Sequence, residues 1–404
     1  MKKSVIVSAA RTAVGAYLGG LKEVPVEVLA STAIREALKR AKITGNDVDD
    51  VILGHVISST DAPNLARTAA LLLGIESAPG LTLNRLCGSG IQAVISAAQE
   101  IETGGAEVVV AGGAESLSRV PYYLPLSVRY QPFRNGSKQL FCANEMAHLN
   151  AQPAPLYPAV HMGITAENVV ARYNISREDQ DLFAFHSQMK AKAAMESGRF
   201  AKEIVPVAIE SKKGTIMFDT DEHPRPETTM EGLAKVRPAF KKDGTVTAGN
   251  ASGMNDGGAA LVIMSAEMAK AQGLKPLAAV VDYAVTALDP MVMGLGPVSA
   301  IRKLLKKTCL TLDDIDLVEI NEAFAGQTLG CLKELGMYLG TSLYERLNVN
   351  GGAVALGHPL GMSGARLVTT LAYELQIRKA RYGIASACIG GGQGIALLIE
   401  NGGD

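Results

Sequence analysis

Cys87 stands among glycines at a point where the chain could do nucleophilic chemistry. It lies in the segment Asn84–Gly90 (NRLCGSG), directly after an apolar stretch and directly before a helical one. The positive end of a helix favours a thiolate, so this position predicts a lowered pKa for the thiol and a nucleophilic role. The glycines would let a substrate carbonyl approach backbone N–H groups able to bind an oxyanion. Taken alone, the segment is equally compatible with a buried, inert cysteine at a tight turn.

Three other segments carry groups that could work with this thiol. His358 is held between a glycine and a proline in Asn350–Gly364 (NGGAVALGHPLGMSG), so a loop fixes its ring and it can act as a base; alone, it could also fill space or cap. Cys388 ends an apolar strand in ACIGGGQG, and Asn321 follows another strand and could offer its amide, or be a turn or cap residue. We expect all four segments at the C-terminal ends of strands, where open α/β sheets bind ligands, so that the two cysteines meet.

Short apolar runs alternate with helical periodicity in the elements that must position these groups. The runs are 5–8, 51–56, 81–86 and 107–111, and the helical segments between them are 26–42, 64–73 and 91–103. This alternation predicts an α/β fold in which helices cover a largely parallel sheet.

An internal repeat divides the chain. Ala33–Leu53 and Ala300–Ile320 align without a gap and share nine of 21 residues, where about one identity is expected by chance. Duplication therefore predicts two related halves, at 1–120 and 275–404. Residues 121–250 are punctuated by prolines and are interpreted as an inserted region, from which 251–274 returns to the first half as a strand.

Composition excludes several classes of protein. The 404 residues contain 39 Lys plus Arg against 40 Asp plus Glu, so no basic excess supports nucleic-acid binding. The five cysteines have no CxxC spacing, which predicts neither a disulfide framework nor a metal cluster. The absence of a long apolar run predicts no membrane span, and the early Arg11 argues against a signal peptide, so we expect a cytoplasmic protein.

Read together and in order, NRLCGSG, NEAFA, NGGAVALGHPLGMSGAR and ACIGGGQG resemble the thiolase family. The segments Val160–Gly163, Thr247–Gly257 and Gly296–Pro297 extend the resemblance to nearly the whole chain, except about 120–159. It implies the thiolase fold, with two duplicated α/β halves, helices covering mixed sheets, and an inserted loop domain. It also implies an acyl-CoA C-acetyltransferase that condenses two acetyl-CoA to acetoacetyl-CoA and CoA, or runs the reverse thiolysis.

The resemblance also assigns catalytic roles to residues. Cys87 would be the acetylated nucleophile, His358 would take its proton, and Cys388 would be the acid/base on the second acetyl-CoA. Asn321 would hold a water that stabilises an enolate oxygen with His358. The N–H groups of Cys87 and Gly390 would line the other oxyanion hole.

Coenzyme A is implied as a substrate, with no tightly bound cofactor and no metal. The family pattern places Arg225 near the adenine end of CoA and Ser252 near the pantetheine arm, with Ala239, Phe240 and Ala248 along the channel. His161 and Met162 match the short-chain type, in which the methionine closes the acyl pocket. The stretch 120–159, including Tyr130–Phe133, departs from the short-chain pattern.

Several alternatives stand beside this interpretation. A broad-range 3-oxoacyl-CoA thiolase of fatty-acid β-oxidation differs only in pocket size. A decarboxylating ketoacyl synthase would not need Cys388, and a non-catalytic acyl-CoA or lipid carrier would be favoured by loss of Cys87 or His358, both of which are present. Two cysteines and the α/β repeat argue against a papain-like hydrolase.

The resemblance further implies a homodimer, or a homotetramer if 120–150 supplies a contact.

Overall fold

The computed structural model describes residues 2–131, 136–212 and 214–403. Its strands are β1 (Ser4–Thr12), β2 (Gly15–Ala16), β3 (Asp50–Gly54), β4 (Gly80–Leu83), β5 (Val108–Ser116), β6 (Tyr122–Tyr123), β7 (Phe141–Cys142), β8 (Ile204–Val205), β9 (Val207–Ser211), β10 (Gly214–Phe218), β11 (Asn255–Ser265), β12 (Ala278–Ala287), β13 (Leu317–Ile320), β14 (Tyr382–Ile389) and β15 (Gln393–Asn401). The predicted segment Tyr130–Phe133 lies partly outside the described residues.

The α-helices alternate with these strands in both halves. They are α1 (Val26–Ala41), α2 (Leu65–Leu72), α3 (Ser89–Thr103), α4 (Ala143–Leu149), α5 (Met162–Tyr173), α6 (Arg177–Glu196), α7 (Met230–Ala234), α8 (Ala266–Ala271), α9 (Gly296–Thr308), α10 (Ala325–Leu335), α11 (Ser342–Glu345), α12 (Ala353–Leu356) and α13 (Leu360–Arg378). Within the described ranges, none of these helices is long and apolar enough to cross a membrane.

The main sheet is mixed and not largely parallel. Its strand order is β13-β14-β15-β12-β1-β11-β5-β3-β4. β3 runs parallel to β4 and β5, and β13 runs parallel to β14. β11, which returns from the inserted region, lies antiparallel between β1 and β5, and β15 forms a hairpin with β14 and lies antiparallel beside β12. The prediction of a largely parallel sheet from the alternation was wrong. The alternation does not show that β11 enters the sheet between β1 and β5, or that β15 enters it between β14 and β12, each in the antiparallel direction.

Two halves of matching topology form this sheet. β1-β11-β5-β3 in the first half corresponds to β12-β15-β14-β13 in the second, and β1 pairs with β12 where the halves meet. The repeat carries the same local structure in both copies. Helices α1 and α9 each end at a left-handed residue, Lys42 and Cys309, both at φ 56°. In the turn that follows, Thr44 pairs with Asp47 and Thr311 pairs with Asp314.

Helices cover the sheet in layers. One buried cluster packs α1 and α2 on the outer face of the first half, and another packs α9 and α10 on the outer face of the second. The largest cluster surrounds α3 and α13, which lie side by side between the two halves. This central pair matters for function because Cys87 precedes α3 and His358 precedes α13.

Glycines allow α3 and α13 to approach closely. A Cβ on Gly90 would lie 2.3 Å from the backbone nitrogen of Ala365, and one on Gly88 would lie 2.6 Å from the side chain of Ile389. Backbone cannot yield at such distances as a flexible side chain can. Gly90 therefore serves the packing of α3 against α13, whereas Gly88 lies against the side chain of Ile389 on β14.

The inserted region is anchored to the first half by buried charges. The guanidinium of Arg11 on β1 binds Asp221 through two hydrogen bonds of 2.7 and 2.9 Å and Glu203 through one of 2.7 Å. All three side chains are almost fully buried. A buried arginine needs such partners, so this contact fixes the position of the insertion over the sheet.

Candidate active site

Cys87, His358 and Cys388 line one cavity of about 370 Å³ between the sheet and the inserted region. The walls are otherwise largely apolar. The side chains predicted for coenzyme A and for the acyl pocket reach the same cavity: His161, Met162, Arg225, Ala239, Phe240, Ala248 and Ser252. The structure thus brings together residues from positions 87 to 388 of the chain.

A strained turn presents Cys87. The preceding residue, Leu86, has φ 45°, in the left-handed region that a leucine seldom adopts. Asn84 Oδ1 accepts a hydrogen bond from the Leu86 N–H at 2.8 Å, and the Ser89 hydroxyl donates to the Leu86 carbonyl at 2.7 Å. These flanking side chains hold the turn in place, and they explain why asparagine and serine border the thiol.

The Cys87 thiol is protonated in the unliganded site. Burial raises its pKa to about 11, and Glu115 adds to the rise, while the backbone N–H groups of Gly390 and of Cys87 itself lower it. The prediction of a lowered pKa was wrong because desolvation outweighs the helix end. The same two N–H groups face the sulfur, as an oxyanion hole next to a nucleophile requires.

His358 is a neutral imidazole whose Nε2 is the basic nitrogen. Its Nδ1 lies 2.5 Å from Ser363 Oγ, whose hydroxyl donates to the Pro359 carbonyl at 2.8 Å, so Nδ1–H is the donor. The His358 backbone N–H donates to Asn255 Oδ1 at 2.9 Å. Burial, and then Arg366, lowers the His358 pKa to about 3. The ring therefore offers Nε2 as a proton acceptor.

The expectation that every segment ends a strand was wrong for His358. It follows the short helix α12 and precedes α13, whereas Asn321 directly follows β13 and Cys388 is the penultimate residue of β14. The helix dipole at α13 adds to burial in disfavouring a charged imidazole. The ring is nevertheless fixed by a link between two elements, as predicted.

Asn321 lies against this imidazole. Its Nδ2 is 3.2 Å from His358 Nε2, and its Oδ1 is buried with no hydrogen-bond partner among the described residues. Its neighbour Glu322 is buried and accepts hydrogen bonds from Ser187 at 2.7 Å and Asn348 at 2.8 Å. Glu322 thus connects α6 of the insertion to the loop that carries the histidine, a role that the sequence did not indicate.

Cys388 is fully buried beside Cys87. Burial raises its pKa well above the ordinary value, and the charge of a Cys87 thiolate raises it further. Its side chain packs with Met162, Met293 and Phe324 in one apolar cluster. A thiol in such surroundings keeps its proton and can act as an acid. Once it has given that proton away, its thiolate is a strong base, which suits an acid/base role.

Comparison with known proteins decides the family. Residues 4–267 match the family described as Thiolase, N-terminal domain, and residues 274–401 match Thiolase, C-terminal domain. The chain is 50% identical to the acetyl-CoA acetyltransferase of Chromobacterium violaceum over 98% of both chains. It superposes on the crystal structure of the Bacillus anthracis acetyl-CoA acetyltransferase with a TM-score of 0.93, at 47% identity over 99% of both chains.

The chain belongs to the thiolase family. It also resembles human mitochondrial 3-ketoacyl-CoA thiolase in complex with CoA, with a TM-score of 0.91 and 45% identity over 99% of this chain and 98% of that one. The thiolase fold with its duplicated α/β halves, expected from the motifs, is confirmed.

A second cavity of about 320 Å³ adjoins the thiolase active site. Arg225, His223 and Ala248 line both cavities, so together they form one route from solvent toward Cys87. The Arg225 backbone N–H donates to Gln188 at 2.8 Å, and the Ser252 hydroxyl donates to the Ala323 carbonyl at 3.0 Å. These hydrogen bonds hold Arg225 and Ser252, the two residues predicted to contact CoA, in the walls of this route.

Met162 lines the cavity beside Cys388. It is 8% exposed and packs in the cluster of Cys388, and its sulfur is within 3.4 Å of the position that a Cβ on Gly390 would occupy. His161 precedes it, and its Nδ1 accepts a hydrogen bond from the Gly163 N–H at 3.1 Å, which caps α5. Met162, the residue predicted to close the acyl pocket, therefore lies in the first turn of α5.

Other cavity residues were missed by sequence reasoning. Asn144 and His148 come from α4, and His223 comes from the loop after β10. The His148 ring lies against that of His161, tilted by 38° and with 4.4 Å between centroids. No motif marks α4, because it lies in the stretch that departs from the short-chain pattern.

Proposed function

We propose that this thiolase is an acetyl-CoA C-acetyltransferase that acts through an acetyl group on Cys87. The observation that carries the proposal is the shared cavity of Cys87, His358 and Cys388, with the Asn321 amide on the histidine. Two thiols and a fixed neutral imidazole supply what reversible condensation of two acetyl-CoA molecules needs. The family and the names of its relatives agree with this activity.

In the first half-reaction Cys87 attacks the thioester carbonyl of acetyl-CoA. Its proton passes to His358 Nε2, the only ring nitrogen not committed to Ser363. Because burial disfavours both the free thiolate and the imidazolium, we infer that this proton moves as the carbonyl oxygen gains negative charge. The tetrahedral intermediate then expels CoA, which leaves as a thiol with the proton of Cys388. The acetyl group remains on the Cys87 sulfur, Cys388 becomes a thiolate, and His358 keeps the proton on Nε2.

In the second half-reaction the Cys388 thiolate removes a proton from the methyl carbon of a second acetyl-CoA. The resulting carbanion attacks the acetyl carbonyl, the new C–C bond forms, and the Cys87 sulfur leaves and takes back its proton from His358. We propose that the N–H groups of Cys87 and Gly390 bind one oxyanion. Asn321, through a water, and His358 would stabilise the enolate oxygen. Thiolysis follows the same steps in reverse.

Coenzyme A would lie along the two joined cavities. We propose that Arg225 contacts the adenine end, that Ser252 contacts the pantetheine arm, and that Ala239, Phe240 and Ala248 line the channel between. A related thiolase is known in complex with CoA, which supports a substrate of this type. We further propose a cytoplasmic enzyme without a tightly bound cofactor that works as a homodimer or homotetramer.

Mass spectrometry tests the nucleophile. Incubation with acetyl-CoA followed by acid quench and digestion should give one acetyl group per chain, on the Cys87 peptide. Cys388→Ala should still be acetylated but should lose condensation, because the two thiols serve different half-reactions. An acetyl group on Cys388 alone, or condensation by Cys388→Ala at the unmodified rate, contradicts the assignment.

The alternative is a broad-range 3-oxoacyl-CoA thiolase, and the position of Met162 favours the short-chain enzyme. A side chain at the end of the pocket excludes acyl carbons, and each excluded methylene loses burial worth roughly 0.8 kcal/mol. We expect kcat/KM for acetoacetyl-CoA to exceed that for 3-oxohexanoyl-CoA by about tenfold, which corresponds to ~1.4 kcal/mol. Met162→Ala should narrow this difference. Equal values in the unmodified enzyme would identify the broad-range thiolase.

A further inference from the structure

Helix α4 is seated next to the nucleophile. Its small residues Ala143 and Ala147 pack against the apolar cluster that contains Leu86 and Leu117. Leu86 directly precedes Cys87, so the helix borders the space that an acyl group on the Cys87 sulfur would enter. A group placed on the adjoining face of α4 can therefore contact that acyl chain.

Two polar side chains occupy that adjoining face. Asn144 and His148 are one helical turn apart, and both line the cavity. Asn144 is 7% exposed; its Nδ2 lies 3.4 Å from Met254 Sδ, and its Oδ1 is buried without a hydrogen-bond partner in the described part of the chain. We call this pair the polar wall.

His148 is likewise held without a polar partner. Its half-buried ring lies tilted against the ring of His161, and neither of its nitrogens makes a hydrogen bond to any residue that the structure describes. Burial, and then His161, lowers the His148 pKa to about 4, so the ring is neutral at neutral pH and offers one donor and one acceptor. Leaving the buried Asn144 Oδ1 unpaired in an apolar site costs stability, and a ligand that donates to it recovers that stability. The half-buried ring of His148 offers the same ligand a second polar contact.

The polar wall matches a hydroxyl group better than a carboxylate. A hydroxyl can donate to Asn144 Oδ1 while it accepts from the His148 ring N–H. A carboxylate can only accept, and it would bring a negative charge beside the amide oxygen and a neutral ring. An alkyl chain would leave both groups unpaired.

We propose that Asn144 and His148 select 3-oxoacyl-CoA substrates whose acyl chain carries a hydroxyl group. The proposal rests on the proposed function, because it needs the acyl group to reside on Cys87. In thiolysis Cys87 attacks C3, the C2–C3 bond breaks, C2 takes a proton from Cys388 and leaves as acetyl-CoA, and the hydroxylated acyl group remains on the sulfur beside α4. Coenzyme A then removes it as a second thioester.

Thiolysis kinetics test the polar wall. kcat/KM is measured with acetoacetyl-CoA, 3-oxohexanoyl-CoA, its 5-hydroxy and 6-hydroxy derivatives, and 3-oxoadipyl-CoA, which carries a terminal carboxylate. We expect the better hydroxylated substrate to exceed 3-oxohexanoyl-CoA by about fivefold or more, since each recovered hydrogen bond is worth roughly 1 kcal/mol. Asn144→Leu and His148→Phe should each bring that ratio to about one or below; the phenylalanine keeps an aromatic ring against His161.

A control variant lies on the same helix. Glu145 is exposed and does not line the cavity, so Glu145→Gln should preserve the ratio. No preference for either hydroxylated chain, or a preference for the carboxylate, overturns the proposal. An unchanged ratio in both polar-wall variants also overturns it. Absence of acetoacetyl-CoA turnover would instead refute the proposed function, so the two failures are distinguishable.

Discussion

At the scale of single residues, burial governs the protonation of the active site. Cys87 stands before α3, where the helix end alone would favour a thiolate, yet desolvation raises its pKa to about 11. His358 is held neutral by the same cause. Burial therefore favours the uncharged form of both groups. In the proposed reaction the proton passes from Cys87 to His358 only as the thioester carbonyl gains negative charge.

This protonation state predicts how Cys87 reacts with iodoacetamide. The thiolate fraction of a thiol with a pKa near 11 rises about tenfold per pH unit, so alkylation should accelerate continuously from pH 7 to pH 9. Rates are measured on the substrate-free enzyme by mass spectrometry of the Cys87 peptide, with the exposed Cys309 in the same digest as a reference. A plateau reached by pH 8 would show that the helix end outweighs burial.

The motifs identified the reacting side chains but not the residues that hold them. The residues around Cys87 and His358 showed where a thiol and an imidazole could act, and the cavity contains both. The strained Leu86 and the bridge from Glu322 to Ser187 depend on contacts between distant parts of the chain. No spacing in the sequence encodes such contacts, so they could not be predicted.

At the scale of elements, regular periodicity predicted well and irregular segments did not. The helix expected at 91–103 is observed at Ser89–Thr103, and the apolar run at 51–56 is observed as the strand Asp50–Gly54. Helix α4 was missed because its seven residues lie in a proline-rich stretch and are positioned by tertiary packing. The antiparallel course of β11 and β15 was also missed, because strand direction depends on connections and not on the pattern of apolar residues.

The contact between α3 and α13 makes a prediction at this scale. Gly90→Ala would place a methyl group 2.3 Å from backbone, so we expect a loss of at least about 2 kcal/mol in the free energy of unfolding. Urea unfolding followed by circular dichroism measures it. Gly105→Ala is the matched control, because the nearest atom would be a carbonyl oxygen at 3.4 Å. Equal stability of the two variants would mean that α3 and α13 can move apart without a loss in the free energy of unfolding.

At the scale of the whole molecule, duplication explains why the site forms between two halves. The repeat supplies two equivalent helices, α3 and α13, and packs them together at the centre. Their N-terminal ends carry Cys87 and His358, and the second half adds Cys388 and Asn321. The repeat was evident in the sequence, but the joining of the halves through β1 and β12 depends on register and was not.

Association is the remaining property at this scale, and two exposed apolar surfaces bear on it. The outermost strand β4 carries Leu81 at 46% exposure, and the adjacent α2 exposes Leu71 and Leu72 at 49% and 52%. The hairpin region near β6 exposes Tyr122 and Leu126 at 64% and 67%. An open sheet edge beside exposed leucines favours pairing with a second copy, and a separate apolar surface favours joining two dimers.

We therefore predict a tetramer whose two contacts can be separated by mutation. Light scattering at micromolar concentration should give a dimeric mass for Leu126→Ser, because only the hairpin contact is weakened. The double variant Leu72→Glu with Leu81→Glu should lose the contact at the sheet edge and reduce the mass further. Leu339→Ser removes an equally exposed leucine, at 54%, from the opposite half and should leave the mass unchanged. A monomeric mass for the unmodified protein would refute both contacts, since neither surface would then be covered by a second copy.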